Sequence, residues 1–196
     1  MARPRRVSST GWYHAMGRGN NRQALFRSDD DYLKFLQLAG EYLRRSPVQL
    51  AHYCLMSNHV HLLLFSENRV NLSKILQGIN LSYSWWFRRR YDFCGHVWQG
   101  RFKSVPIQEE SHLLECGRYI ERNPANAKIV SNPADYLWSS YRFYSGGEEN
   151  SLLTSNPCYQ GLGETKWERQ RRYREYVTVS RPYEPKMEEI LAVSEG

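Results

Sequence analysis

The sequence predicts an α+β fold, an antiparallel sheet with helices packed against it. Three observations carry that expectation. Short segments of strand character alternate with longer ones whose apolar residues recur every three or four positions. Two of the strand segments are separated by only two polar residues, the spacing of a tight hairpin. The chain has 196 residues, 41% hydrophobic and 24% charged, enough for the core of one domain and unlike a disordered or membrane-spanning composition.

Gly11-Trp12-Tyr13-His14-Ala15-Met16 reads as a first strand, after a basic arm at Ala2-Arg3-Pro4-Arg5-Arg6. Gly17-Arg18-Gly19-Asn20-Asn21-Arg22 follows as a polar loop whose glycines let the backbone approach a ligand closely. Ser28, followed by Asp29, Asp30 and Asp31, starts a helix with a cap residue and acids in its first turn. Tyr32, Phe35, Leu36, Ala39, Tyr42 and Leu43 continue it at helical spacing until Pro47. Val48 to Met56 and His59 to Phe65 form two strands joined by Ser57-Asn58. From Asn71 to about Tyr91, Leu72, Ile75, Leu76, Ile79, Tyr83 and Trp86 share one helical face.

Ile107 and its neighbours supply a fourth strand. Ser111 then caps a helix expected to end near Asn123, because Pro124 disfavours helical geometry in the residue before it. The resulting order is strand, helix, strand, strand, helix, strand, helix: a ferredoxin-like sheet with one helix added. Composition changes after Ser145-Gly146-Gly147. Residues 1–147 are therefore expected to form one domain and 148–196 a C-terminal helical extension, with a charged helix over Glu164 to Tyr176 and then a tail.

The longest apolar run, Leu62-Leu63-Leu64-Phe65, falls far short of the ~20 residues of a spanning helix, so no membrane partner is expected. The basic start has no apolar stretch behind it, which excludes a secretory signal from this reading. Cys54, Cys94, Cys116 and Cys158 form no C-x-x-C pair and read as free thiols of a cytosolic protein.

Asn58-His59-Val60-His61 is the sharpest local signal. Strand residues two apart point the same way, so both imidazoles project together, a natural half of a metal site. Alone, such a pair also fits core or surface histidines that merely hydrogen-bond. Tyr119 and Asn123, four apart, stand one turn from each other on a helix, with Glu115 a further turn back. That pair alone also fits a packed tyrosine and a C-terminal asparagine. His14, His52, His96 and His112 have no comparable pattern and read as structural.

Charge gives the third clue. The net charge is +7, and Arg69, Lys74, Arg88, Arg89, Arg90, Arg101 and Lys103 face a single acid, Asp92, between residues 69 and 105. Tyr83, Trp85, Trp86, Phe87, Tyr91, Phe93, Trp98 and Phe102 are interleaved with them. Basic groups track phosphates and aromatic faces stack unpaired bases, which suits single-stranded nucleic acid. The other reading is a solvated basic helix end over core aromatics.

Taken in order, several stretches resemble the HUH-type single-tyrosine transposases, and among them the bacterial REP-associated tyrosine transposases. The matching segments are Tyr13-His14 with Arg18-Gly19-Asn20-Asn21-Arg22, Met56-Ser57-Asn58-His59-Val60-His61, Trp98-Gln99-Gly100-Arg101-Phe102-Lys103-Ser104, Tyr119-Ile120-Glu121-Arg122-Asn123-Pro124 and Trp138-Ser139-Ser140-Tyr141. They span roughly residues 10 to 145.

The resemblance implies that His59 and His61 ligate Mg²⁺ or Mn²⁺, with Asn123 at the third-ligand position and Tyr119 as the nucleophile. It implies a ferredoxin-like sheet with the tyrosine helix alongside. Its substrate would be single-stranded DNA folded as a REP-type hairpin, cleaved through a 5′-phosphotyrosine. Arg18, Asn20 and Arg22, with Arg88, Arg89, Arg90, Arg101 and Lys103, are the candidates for holding that DNA. A phenol ordinarily titrates near ~10 and needs help to lose its proton, for which Glu115 is the candidate base.

The expected setting is the bacterial cytoplasm, nucleoid-associated when DNA is bound, as a monomer or homodimer. A hairpin-binding regulator that no longer cleaves would use the same DNA surface. Replication initiators and relaxases share the site type but usually sit in longer chains.

Overall fold

The computed structural model describes residues 7–179. The basic arm at residues 2–6 and the tail beyond 179 lie outside them. Four strands form one antiparallel sheet in the order β2-β3-β1-β4: β1 Trp12–Arg18, β2 Gln49–Met56, β3 His59–Phe65 and β4 Lys103–Pro106. Helices α1 (Asp29–Arg44) and α2 (Arg69–Tyr91) complete the ferredoxin-like order, and α3 (His112–Asn126) follows β4.

Side-chain alternation divides the sheet. Tyr13, Ala15, Val60, Leu62 and Leu64 face α1 and α2 and share their core. Trp12, Leu63, Cys54 and Met56 lie in a second core with Leu113, Cys116, Tyr119 and Ile120 of α3. In β2 the pairing register shifts between Leu50 and His52. This irregularity inserts Ala51, so that Leu50 and Tyr53 end on one face while Ala51 and Cys54 end on the other. Ser57-Asn58 joins β2 to β3 as a two-residue turn, with Met56 paired to His59.

Two boundaries differ from the sequence reading. The fourth strand ends at Pro106, and Ile107 is the buried residue that follows, its N–H donating to Trp12 O at 2.9 Å. Pro106 has no N–H to offer a ladder, which suits this edge strand. Helix α3 begins without a side-chain cap from Ser111 and continues through Pro124 to Asn126.

Beyond α3 come α4 (Tyr141–Gly146), α5 (Pro157–Gln160) and α6 (Lys166–Thr178), the last close to the expected charged helix. Tyr141, Tyr144, Tyr159, Tyr173 and Val177 form a third core with Leu114 of α3. Beneath it, the buried carboxyl of Glu121 accepts from Ser140 Oγ at 2.5 Å and Tyr173 OH at 2.6 Å, and meets His52 Nδ1 at 2.8 Å. His52 reaches α3 because position 117 is glycine: a Cβ there would stand 2.5 Å from its Nε2.

The carbonyls ending α6 have no helical partners and favour cations. Arg118 Nε donates to Tyr176 O at 3.0 Å, Arg118 Nη2 to Val179 O, and Arg122 Nη1 to Val177 O at 2.7 Å. Helix α3 is thus held by the sheet on one flank and by α6 on the other.

Candidate active site

His59 and His61 occupy alternate positions of β3 and project toward α3, their ring centroids 5.0 Å apart. Tyr119 meets them from the helix: its ring lies 5.9 Å from that of His61, nearly perpendicular, and is 6% exposed. Asn123, one turn later, brings its side chain to His59. The four residues expected from the sequence to form the reactive centre are therefore together, and the tyrosine stands against the histidines of its own chain.

Each histidine has an oriented ring. His59 Nδ1 lies 2.7 Å from Asn58 Oδ1. Asn58 turns its amide nitrogen to Arg22 O, at 3.3 Å, leaving only an acceptor for His59. So His59 carries its proton on Nδ1 and its lone pair on Nε2. His61 Nδ1 lies 3.0 Å from Nε2 of His14, a buried residue of β1. His14, read from the sequence as structural, also places its ring 5.9 Å from Tyr119. Sequence spacing gave no sign of it, because only strand register brings β1 beside β3.

Burial keeps these rings neutral. It lowers His14 to about 3 and, helped by the Arg18 charge, lowers His59 to about 4. His61 falls well below the ordinary histidine value through burial and through His14, His59 and Arg18. Neutral imidazoles keep lone pairs for a cation.

Asn123 Nδ2 donates to the carbonyls of Tyr119 (2.9 Å) and Ile120 (3.3 Å). Backbone carbonyls only accept, so the amide nitrogen must face the helix and Oδ1 must face away. Two imidazole nitrogens and an amide oxygen are a donor set that fits a divalent cation keeping further sites for water or phosphate oxygen. Among the described residues no group of three His, Cys, Asp or Glu side chains could hold a metal. A cation here would therefore depend on the amide.

The basic candidates divide. Arg18 pairs with His59 across β1 and β3, and Lys103 pairs with Met16, itself paired to His61. Residues opposite one another share a face, so Arg18 and Lys103 flank the histidines. Asn20 and Arg22 are exposed in the adjoining loop, which is tied down by Gly19 N to Asn58 O at 2.8 Å and Asn20 N to Val97 O at 2.9 Å. A Cβ at Gly19 would lie 2.2 Å from Gln23 O, so this turn requires glycine. Arg101 is exposed just before β4.

Arg88, Arg89 and Arg90 end α2, in the layer across the sheet from the histidines. Arg88 bonds Gly95 O, at 2.8 Å from Nη2, and Arg90 bonds Asp30 at 2.9 Å, while Arg89 is exposed. Tyr83, Phe87 and Trp98 are buried in the α1–α2 core, and Trp86, Phe93 and Phe102 pack against it, whereas Trp85 is 71% exposed. The run from Arg88 to Lys103 is thus not one continuous track beside the site, because chain proximity says nothing about which face of a sheet a residue reaches. Glu115 is also turned elsewhere: its carboxyl accepts from Tyr176 OH and lies 3.8 Å from Arg118.

A ferredoxin-like sheet thus presents paired histidines to a helix-borne tyrosine, beside basic side chains. The chain belongs to the family described as "Transposase IS200 like", whose model matches residues 7–123. Among solved structures it is similar to the REP-associated tyrosine transposase bound to a REP hairpin, at 18% identity and a TM-score of 0.61, over 79% of this chain and 92% of that one. This likeness shows the fold. It also overlaps a candidate transposase from Deinococcus radiodurans R1, at 15% identity and a TM-score of 0.43, over 62% of this chain and 97% of that one. No curated protein matches significantly.

Proposed function

We propose that this transposase is a divalent-metal-dependent endonuclease and strand transferase for single-stranded DNA, acting at REP-type hairpins with Tyr119 as the nucleophile. The carrying observation is the convergence of His59, His61 and Asn123 on the side of the sheet where Tyr119 stands 5.9 Å from the His61 ring. The hairpin-bound structural neighbour supports the substrate class.

His59 and His61, through Nε2, and Asn123, through Oδ1, would hold Mg²⁺ or Mn²⁺. When bound, such an ion polarises a phosphodiester and stabilises the charge that builds up as it is attacked. Tyr119 supplies the oxygen. A bond forms from that oxygen to phosphorus and the bond from phosphorus to the 3′-oxygen breaks. The phenolic proton ends on the departing 3′-hydroxyl, and the 5′-phosphate stays on the tyrosine. The ester is conserved, so the reverse step rejoins strands without nucleotide hydrolysis. Arg18 and Lys103, beside the histidines, would steer the phosphates of the flanking strand. Among the described residues, no helix is long and apolar enough to cross a membrane.

The test is incubation of a labelled hairpin oligonucleotide, with flanking single strand, in Mn²⁺ or Mg²⁺. A denaturation-resistant protein–DNA adduct is expected with the unaltered protein and absent with Tyr119→Phe, which still binds the hairpin. An adduct persisting in Tyr119→Phe would sink the nucleophile assignment. Hairpin binding without any adduct from the unaltered protein would favour a regulator that does not cleave.

A further inference from the structure

His14 contacts His61 from β1, with His14 Nε2 and His61 Nδ1 3.0 Å apart and the rings nearly parallel at 28°. His14 is fully buried, and its Nδ1 has no hydrogen-bond partner among the described residues. An imidazole with one nitrogen unpartnered is an unfavourable occupant of a core position that an aliphatic side chain could fill. Its contribution must come through the nitrogen that is paired.

Two facing nitrogens of neutral rings share a single proton. If His14 donates it, His61 accepts at Nδ1 and bears hydrogen on Nε2, which then offers nothing to a cation. If His61 donates it, Nε2 of His61 is left as a bare lone pair. The metal reading given above requires the second arrangement. His59 is held by a pure acceptor at Nδ1, so its Nε2 is bare, and a pair of ligands needs the same of His61.

We propose that His14 is a positioning residue that accepts the Nδ1 hydrogen of His61 and so fixes the tautomer and angle in which Nε2 of His61 serves as a ligand. It rests on the metal reading given above, but its first readout does not.

The experiment uses the full chain with ¹⁵N-labelled histidine. Without metal, the ¹H–¹⁵N correlation spectrum of His61 is expected to show the Nδ1-protonated tautomer, assigned with His61→Ala. In His14→Leu, which keeps apolar packing but removes the acceptor, His61 is expected to relax toward the Nε2-protonated form. Mn²⁺ affinity, read by electron paramagnetic resonance, should fall about 10–100-fold. His14→Gln, whose Oε1 can accept at similar reach, should recover most of it. Hairpin binding should be unchanged in both variants, showing that they are folded.

An Nε2-protonated His61 in the unaltered chain would overturn the proposal. So would a His14→Leu protein with unchanged tautomer and unchanged Mn²⁺ affinity. If the unaltered chain binds no Mn²⁺, the metal reading fails separately, and the His61 tautomer alone decides the role of His14.

Discussion

The side-chain amide of Asn123 donates to the carbonyl of Ile120, at 3.3 Å, which is the carbonyl that the missing N–H of Pro124 leaves without its helical donor. The asparagine thereby replaces a backbone bond, lets α3 run on to Asn126, and turns its oxygen away from the helix. Pro124→Ala restores the backbone donor and competes for that carbonyl. The melting temperature is expected to hold or rise while Mn²⁺ affinity falls, by less than the ~10-fold that loss of a dedicated orienting partner brings. Unchanged affinity would show that the contact to Tyr119 O alone orients the amide.

Acid stability should report the buried imidazole of β1. The folded-state value of His14, about 3, lies below the ~6.5 of an unfolded chain, so the unfolded state binds more protons. Its stabilising contribution is complete above pH ~6.5 and is lost as pH falls from there toward 3. Urea unfolding of the metal-free protein at descending pH should show this loss, with a shallower slope in His14→Leu. Identical slopes would contradict it.

DNA affinity should separate the two basic groups. Arg18→Ala with Lys103→Ala is expected to weaken hairpin binding and to flatten its dependence on log salt by about 0.7–0.9 per lost phosphate contact. Arg90→Ala should leave the salt slope alone and slightly lower stability, since Arg90 pairs with Asp30 at 2.9 Å and lies over the Trp86 ring. Titrations at several salt concentrations decide this, and a changed slope for Arg90→Ala would assign it to DNA after all.

Stability should depend heavily on Glu121, whose carboxyl is fully buried and meets three side chains, from β2, from α6 and from the residue before α4. Glu121→Ala strands those partners and is expected to cost about 3–5 kcal/mol, measured by denaturant unfolding. A loss under about 1 kcal/mol would mean the network relaxes around the gap.

Much of this was legible beforehand because two periodicities reach far. Period two put His59 and His61 on one face, and the four-residue step put Tyr119 beside Asn123. What joins strand to helix is tertiary packing, so their meeting rested on family resemblance until the fold was in view. His14 was read as structural because strand register is invisible in residue spacing. Arg88 to Arg90 were misplaced relative to the site because a sheet hides one layer from the other. The end of α3 was misjudged because a side chain took over for the backbone at Pro124.

Arg118 and Arg122 clasp the end of α6, Glu121 anchors the same helix to His52, and Tyr119 looks the opposite way into the sheet. A helix pinned on both flanks has little freedom to slide or roll. On the reading proposed above, the tyrosine would be a stationary anvil onto which the DNA strand is bent and delivered, and hairpin geometry rather than protein motion would select which phosphate arrives.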